Sequence, residues 1–211
     1  KVKKIEVAEV RGMSFLCDHY IMLNLIIFGP PGAGKGTQSE KLLSTYQLQH
    51  ISTGDLLRAE RNAGTELGNQ ANEFIAKGEL VPDAVVIGMV KNFMLAHPEA
   101  NGFIFDGFPR TTPQADALDV MLADFNTGIS IVLGLEVNED ELVKRLLLRG
   151  QSSGRADDQD ESTIRNRFQE YQNKTLPLQG YYQAQGKYHG VMGIGEVEDI
   201  FGSLCAHIDA L

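Results

Sequence analysis

An α/β fold, with a central parallel sheet covered by helices on both faces, is predicted by three features of the sequence. Short apolar runs recur at 23–28, 102–105, 130–137 and 190–194. Longer helix-like patterns fall between or after them, at 34–45, 83–96, 113–124, 138–149 and 162–184. The first apolar run opens directly into a glycine-rich loop, GPPGAGKGTQ at 29–38. A sheet buried on both faces needs this rhythm, because each apolar strand must be followed by a helix that covers it.

The chain of 211 residues is long enough for one substantial core with small inserted lobes. Residues 1–21 precede the first strand, and Met22 stands directly before it, so 1–21 is expected to be a dispensable upstream extension. Its charged residues, among them Glu6, Glu9, Arg11 and Asp18, argue against a secretion signal. The run YIMLNLIIF is also too short to cross a membrane. Two stretches interrupt the strand–helix rhythm. Residues 52–81 read as short helices separated by Gly64, Gly68 and Gly78, and QSSGRADD at 151–158, which follows Gly150 and contains Gly154, reads as polar and flexible. Both are expected to be lobes hung on the core.

A net charge of −9 argues against long nucleic acid as a partner, since a polyanion needs a basic face. It leaves room for a small anion held by a few arginines. Cys17 and Cys205 form neither a disulfide framework nor a zinc motif, which suits a reducing cytoplasm.

The loop at 29–38 departs by one residue from the common phosphate-binding pattern, in which Gly-Lys is followed at once by Ser or Thr. Gly36 occupies the hydroxyl position and Thr37 comes next. Backbone N–H groups at Gly32, Gly34 and Gly36 can still face phosphate oxygens at the positive end of the following helix, with Lys35 reaching the outer phosphates. A plain Gly-Pro turn is the alternative. In FIFDGFPRT (103–111), Asp106 ends an apolar strand, where a carboxylate can hold Mg²⁺ through water or merely close a turn. Arg110 lies just beyond the same strand end, and Gln114 is either a site residue or the last member of a capping box begun by Thr111. Arg145 and Arg149 share a helical face, although Glu141 could engage Arg145 in a surface pair. Arg155, Asp157, Asp158, Arg165 and Arg167 follow. The acidic run DDQDE lacks the spacing of a calcium loop, and NKTL (173–176) lacks the Asp of a guanine-reading motif.

Taken together, GPPGAGKGTQ, ISTGDLLR, GELVPD, FDGFPRT, RLLLRG and GRADD stand in the order and approximate spacing found in nucleoside monophosphate kinases. From Met22 onward the chain resembles the adenylate kinase family, with GKGT as that family's form of the loop. The resemblance implies an α/β P-loop fold of three layers with a single kinase domain over 22–211. Its core would comprise 22–51, 82–147 and 159–211, with a small helical monophosphate-binding lobe at 52–81 and a short lid at 148–158. It implies reversible phosphoryl transfer from ATP to AMP, giving two ADP, with Mg²⁺ accompanying ATP. The short lid carries no cysteine, so no structural zinc is implied.

Residue by residue, the resemblance assigns the ATP phosphates to Gly32, Ala33, Gly34, Lys35, Gly36 and Thr37, and Mg²⁺ to Asp106. Arg145, Arg149, Arg155 and Arg167 would surround the transferring group and its neighbours. Gly195 would offer backbone contact to the ATP adenine. The AMP side would use Thr53, Arg58, Glu79, Leu80, Val81, Gly107, Phe108, Pro109, Arg110 and Gln114, together with Arg155 and Arg167. The RFQEY string favours Arg167 over Arg165. A monomer without nucleic-acid or membrane partners is implied. A UMP or CMP kinase of the same fold is the nearest alternative, and a non-catalytic ATP-binding regulator a more distant one. No His or Asp stands out as a general base, and transfer between two phosphates needs none.

Overall fold

The structure, a computed structural model, describes residues 22–153 and 155–211. The expectation for 1–21 and the one that touches Gly154 lie outside the described residues. Five parallel strands form the sheet in the order β2-β3-β1-β4-β5. They are β1 (Leu25–Phe28), β2 (Gln49–Ser52), β3 (Phe103–Asp106), β4 (Ile131–Glu136) and β5 (Tyr188–Met192). The helices are α1 (Lys35–Tyr46), α2 (Thr53–Asn62), α3 (Glu66–Lys77), α4 (Asp83–Leu95), α5 (Thr112–Asp124), α6 (Glu139–Ser153), α7 (Glu161–Glu170), α8 (Leu178–Gln183) and α9 (Val197–Ile208). The α/β class expected from the sequence is therefore the observed one.

Residue alternation along β1 shows how the sheet is buried on both sides. Ile26 and Phe28 face one core, with Phe103 and Phe105 from β3, Val86 and Val90 from α4, Leu118 from α5, and Tyr182. Leu25 and Ile27 face the other, with Leu42 from α1, Leu146 from α6 and Leu204 from α9. Successive strand side chains point to opposite faces, so a four-residue strand serves two cores only if every residue is apolar. Each such side chain, fully buried, contributes about 1.5–3 kcal/mol of transfer free energy. Because all strands run in parallel, the segments that follow β1, β2 and β3 emerge at one edge. The register pairs Ser52 with Asp106 and Ile27 with Asp106, which aligns those three strand ends.

Several elements differ from the sequence reading. β2 was not expected, because QHIS offers little apolar signal; as an edge strand it pairs on one side only. Gly68 does not separate helices but lies inside α3, where a Cβ would stand 2.3 Å from the Glu60 backbone. Its role is close approach between α2 and α3. The helix expected to end at 149 continues to Ser153, and a 3₁₀ turn follows at Ala156–Asp158, so most of the supposed flexible stretch is helical. The single helix expected over 162–184 is broken into α7, a π-helical turn (Tyr171–Thr175) and α8, with Pro177 at the N-cap of α8. No described helix is long and apolar enough to cross a membrane.

Candidate active site

The aligned strand ends border an open cleft. One wall is the loop between β1 and α1. Gly32 and Gly34 have φ of 84° and 89°, a left-handed geometry that side chains disfavour, so glycine is required there. Gly34 is the N-cap of α1 and provides no side-chain cap. The first-turn amides of α1 are thus left for an external acceptor, at the positive end of the helix. Ala33 is buried beside Gly29, so it can meet phosphate only through its main chain. Gly36 and Thr37 are exposed on the first turn. Lys35 Nζ donates to the carbonyls of Gly29 (2.8 Å) and Pro30 (3.1 Å). Burial pulls its pKa down to about 8, with nearby Asp106 opposing the shift and Arg110, Arg167 and Arg149 adding to it.

The opposite wall is built around Gly107, whose φ is 73°. Its carbonyl accepts from Thr53 Oγ1 (2.8 Å) and from Arg110 Nε (2.7 Å). A Cβ at Gly107 would stand 2.6 Å from Arg110 Nη2, so the guanidinium needs the missing side chain. Phe108 is buried in the core and joins Pro109 through a cis peptide bond. Gln114, 2% exposed, accepts from the Arg110 N–H (2.8 Å) and donates to Asp83 Oδ1 (2.7 Å). Thr111 Oγ1 accepts from the Gln114 N–H (3.3 Å) and also bonds Asp83 Oδ2 (3.0 Å). Both sequence readings of Gln114 therefore have support: it belongs to the helix cap and it lines the cleft.

Asp106 stands at the end of β3 with His50 Nε2 3.6 Å from its Oδ2. Burial alone would raise its pKa, but His50, Lys35 and Arg110 hold the carboxyl below its ordinary value. An ionised carboxylate at this edge fits an Mg²⁺ held through water, and it would supply charge neutralisation beside the phosphates. Arg58 pairs with Asp55, and Arg155 Nη2 lies 3.8 Å from the same carboxylate.

A second acidic centre organises the remaining arginines. Asp158, with no exposed side chain, accepts a forked pair from Arg149 (2.6 and 3.0 Å) and a further bond from Arg167. Arg167 also pairs with Asp157 Oδ2 (2.9 Å). Burial pushes the Asp158 pKa up, but the two arginines outweigh it and hold the carboxyl below its ordinary value. Burial lowers the pKa of Arg110, with Arg167 the next cause, and lowers that of Arg155, with Arg58 and Arg149 adding to it. The cleft gathers Lys35, Arg58, Arg110 and Arg167 together with the carboxylates of Glu79, Asp157 and Glu170.

Lys35, Thr53, Arg58, Glu79, Leu80, Val81, Gly107, Pro109, Arg110, Gln114 and Arg167 line this cleft together. Arg145 stands apart, donating to Glu141 (2.8 Å) and to the Gly193 carbonyl (3.3 Å). That places it beside the loop of Gly195, which α1 anchors through Gln38 Nε2 to the Val197 carbonyl (3.0 Å). Arg165 turns away to Glu161 and Glu139, while Arg167 faces the cleft. Sequence reasoning gave no role to Asp83, Leu57, Glu170, Tyr171 or Thr175. Asp83 lies at the end of the GELVPD string, and Thr175 within the NKTL string, which lacks the Asp of a guanine-reading motif.

A glycine-rich loop joining a central parallel strand to a helix, with a lysine in its first turn, defines a phosphate-binding-loop protein of the α/β class. Comparison with known proteins narrows the class. A family profile described as Adenylate kinase matches residues 27–187. The adenylate kinase of Bacteroides fragilis is 49% identical over 190 residues, covering 90% of this chain and all of its own. That of Parabacteroides distasonis is 52% identical over 183 residues, covering 87% of this chain and 96% of its own. That of Flavobacterium johnsoniae is 50% identical over 190 residues, covering 90% of this chain and all of its own. This chain belongs to the adenylate kinase family.

Proposed function

We propose that the protein transfers the terminal phosphoryl group of Mg-ATP to AMP, reversibly, giving two ADP. The observation that carries this reading is the convergence of the phosphate loop, Arg110 and Arg167, one of the two arginines held by Asp158, on one cleft. ATP lies with its phosphates on the amides of Gly32, Gly34, Lys35, Gly36 and Thr37, and its adenine toward Gly195 and Arg145. Asp106 would hold, through water, the Mg²⁺ that accompanies ATP, and the ion would supply neutralising charge beside the phosphates. AMP lies between Thr53, Arg58, the 79–81 backbone, Gly107 and Gln114, with its phosphate on Arg110. Gln114 keeps one amide hydrogen and one lone pair beyond the bonds described, enough to read an adenine edge.

In the reaction an AMP phosphate oxygen attacks the γ-phosphorus, and the bond to the β–γ bridging oxygen breaks. No base is required, because a monophosphate with a second pKa of about 6 is already mostly a dianion at neutral pH. The barrier lies in bringing two anions together: one pair of unit charges 4 Å apart costs roughly 4 kcal/mol at an effective dielectric of 20. Lys35, Arg110, Arg149, Arg155 and Arg167 offset that repulsion and the charge that develops on the transferring oxygens. Arginine suits the task because its planar fork grips phosphate through two hydrogen bonds. Asp158 takes the fork of Arg149, and Asp157 and Asp158 both meet Arg167 Nη1. Residues 52–81 act as the monophosphate lobe and 148–158 as a short lid; the protein works as a monomer in the cytoplasm, and residues 1–21 are not needed for activity.

The test is an assay with Mg-ATP against AMP, CMP, UMP and GMP separately. ADP formation with AMP far above the others is expected. Transfer to CMP or UMP but not AMP would replace this reading with a pyrimidine monophosphate kinase. ATP binding without transfer to any acceptor would replace it with a regulator.

A further inference from the structure

The main chain of Arg110 is held from both sides, and one of its partners comes from 65 residues away. Its N–H donates to Gln114 Oε1, and its side-chain Nε to the Gly107 carbonyl; both partners are neighbours in sequence. Its own carbonyl accepts from Thr175 Oγ1 at 3.0 Å. Thr175 ends the π-helical turn that directly follows α7, the helix that carries Arg167. The turn closes with a bond from Leu176 N–H to the Tyr171 carbonyl at 2.8 Å, five residues back. Such wider turns are rare and recur at functional sites, because they re-aim the side chains that follow. Here the turn brings Thr175, 7% exposed, into the wall of the cleft.

Arg110 needs such a restraint. After burial, the charge of Arg167 is the next cause that disfavours its ionised form. Asp157 and Asp158 hold the Arg167 side chain and the Gly107 carbonyl holds that of Arg110, but of the bonds described only the one from Thr175 links the Arg110 main chain to the segment that continues from the Arg167 helix. Thr175 makes that tie, since one end of its turn continues from the Arg167 helix and its hydroxyl meets the Arg110 carbonyl. We propose that Thr175 is a positioning residue, which sets the spacing of Arg110 from Arg167 and thereby how tightly the monophosphate is gripped. The inference rests on the ATP:AMP reading of the cleft.

The experiment measures KM for AMP and for ATP separately in wild type, Thr175→Val and Thr175→Ser. Wild-type transfer to AMP tests the underlying reading; the variants, compared with wild type, test Thr175. Valine keeps the shape but removes the donor, and serine keeps the donor. Loss of one hydrogen bond predicts a rise of about threefold to tenfold in the KM for AMP in T175V. The KM for ATP should stay within about twofold, and T175S should restore the AMP value, as one retained donor predicts. Equal rises in both KM values, or a serine variant as impaired as valine, would overturn the proposal. So would a fall in Tm with both KM values unchanged. Should T175V fail to fold, Thr175→Cys, of similar size with a weak donor, carries the same comparison.

Discussion

The phosphate loop and the arginine cluster face each other across one cleft, yet they are built in opposite ways. The loop is contiguous, and its geometry comes from two left-handed glycines and the unsatisfied amides of α1. The arginine cluster draws on α2, the loop between β3 and α5, α6 and α7, and on the 3₁₀ turn of Asp157 and Asp158. The loop is therefore prepared by backbone conformation, whereas the cluster is prepared by internal counter-charges. The difference teaches where substitutions should damage chemistry alone and where they should damage folding as well.

The largest expected effect falls on the loop. Lys35→Met removes the cation proposed to meet the phosphates, together with its bonds to the Gly29 and Pro30 carbonyls, while the left-handed glycines of the loop remain. A loss of at least about a hundredfold in kcat is expected, as for other donors that stabilise a transition state. Circular dichroism and Tm should stay near wild type. Near-normal kcat would break the assignment of this wall to phosphate.

Asp158→Asn tests the opposite wall. It leaves Arg149 and Arg167 with a neutral partner, so stability should fall by about 1–3 kcal/mol, measured by urea denaturation. The pH dependence has a definite sign. The folded pKa of Asp158 lies below its ordinary 3.8, so its contribution is fully present above that value. It is lost as pH falls through the lower folded value. The asparagine variant should lack that portion of the acid destabilisation. Unchanged stability would show that the arginines need no internal counter-charge.

A third measurement returns to Lys35. Its pKa of about 8 in the folded protein, against an ordinary 10.5, should rise when nucleotide phosphates approach. Nucleotide binding near pH 8 should then take up as much as about half a proton, visible as a binding enthalpy that depends on the buffer. The same shift means that this group raises stability as pH climbs from about 8 to 10.5, because the folded state loses the proton first. Absence of proton uptake would show that the amine does not meet the phosphates. The smallest effect belongs to Glu141→Gln, which breaks a solvent-exposed pair with Arg145. A change in stability below about 0.5 kcal/mol is expected in thermal melts.

Legibility followed the same division. The loop and the strand ending at Asp106 could be read directly, because their signals are local spacings of Gly, Lys and Asp next to apolar runs. β2 has little apolar pattern to show because it is an edge strand, and the π-helical turn after α7 has no local signature beyond the polar run YQNKT and Pro177. Arg149, Arg155 and Arg167 were legible as residues but not as a network. Asp83 and Thr175 acquire roles only through bonds to residues 28 to 65 positions away.

By itself, then, the sequence determined the alternation of strands and helices, the two-faced burial of β1 and the phosphate loop. Each depends on side-chain character and φ preference within a few residues. Only the tertiary structure decided which acid holds which arginine, how Gln114 divides its bonds, and that a π-helical turn reaches across to Arg110. Those outcomes depend on distances between segments remote in the chain. Charge and hydrogen-bond partners are chosen there by what burial leaves unpaired.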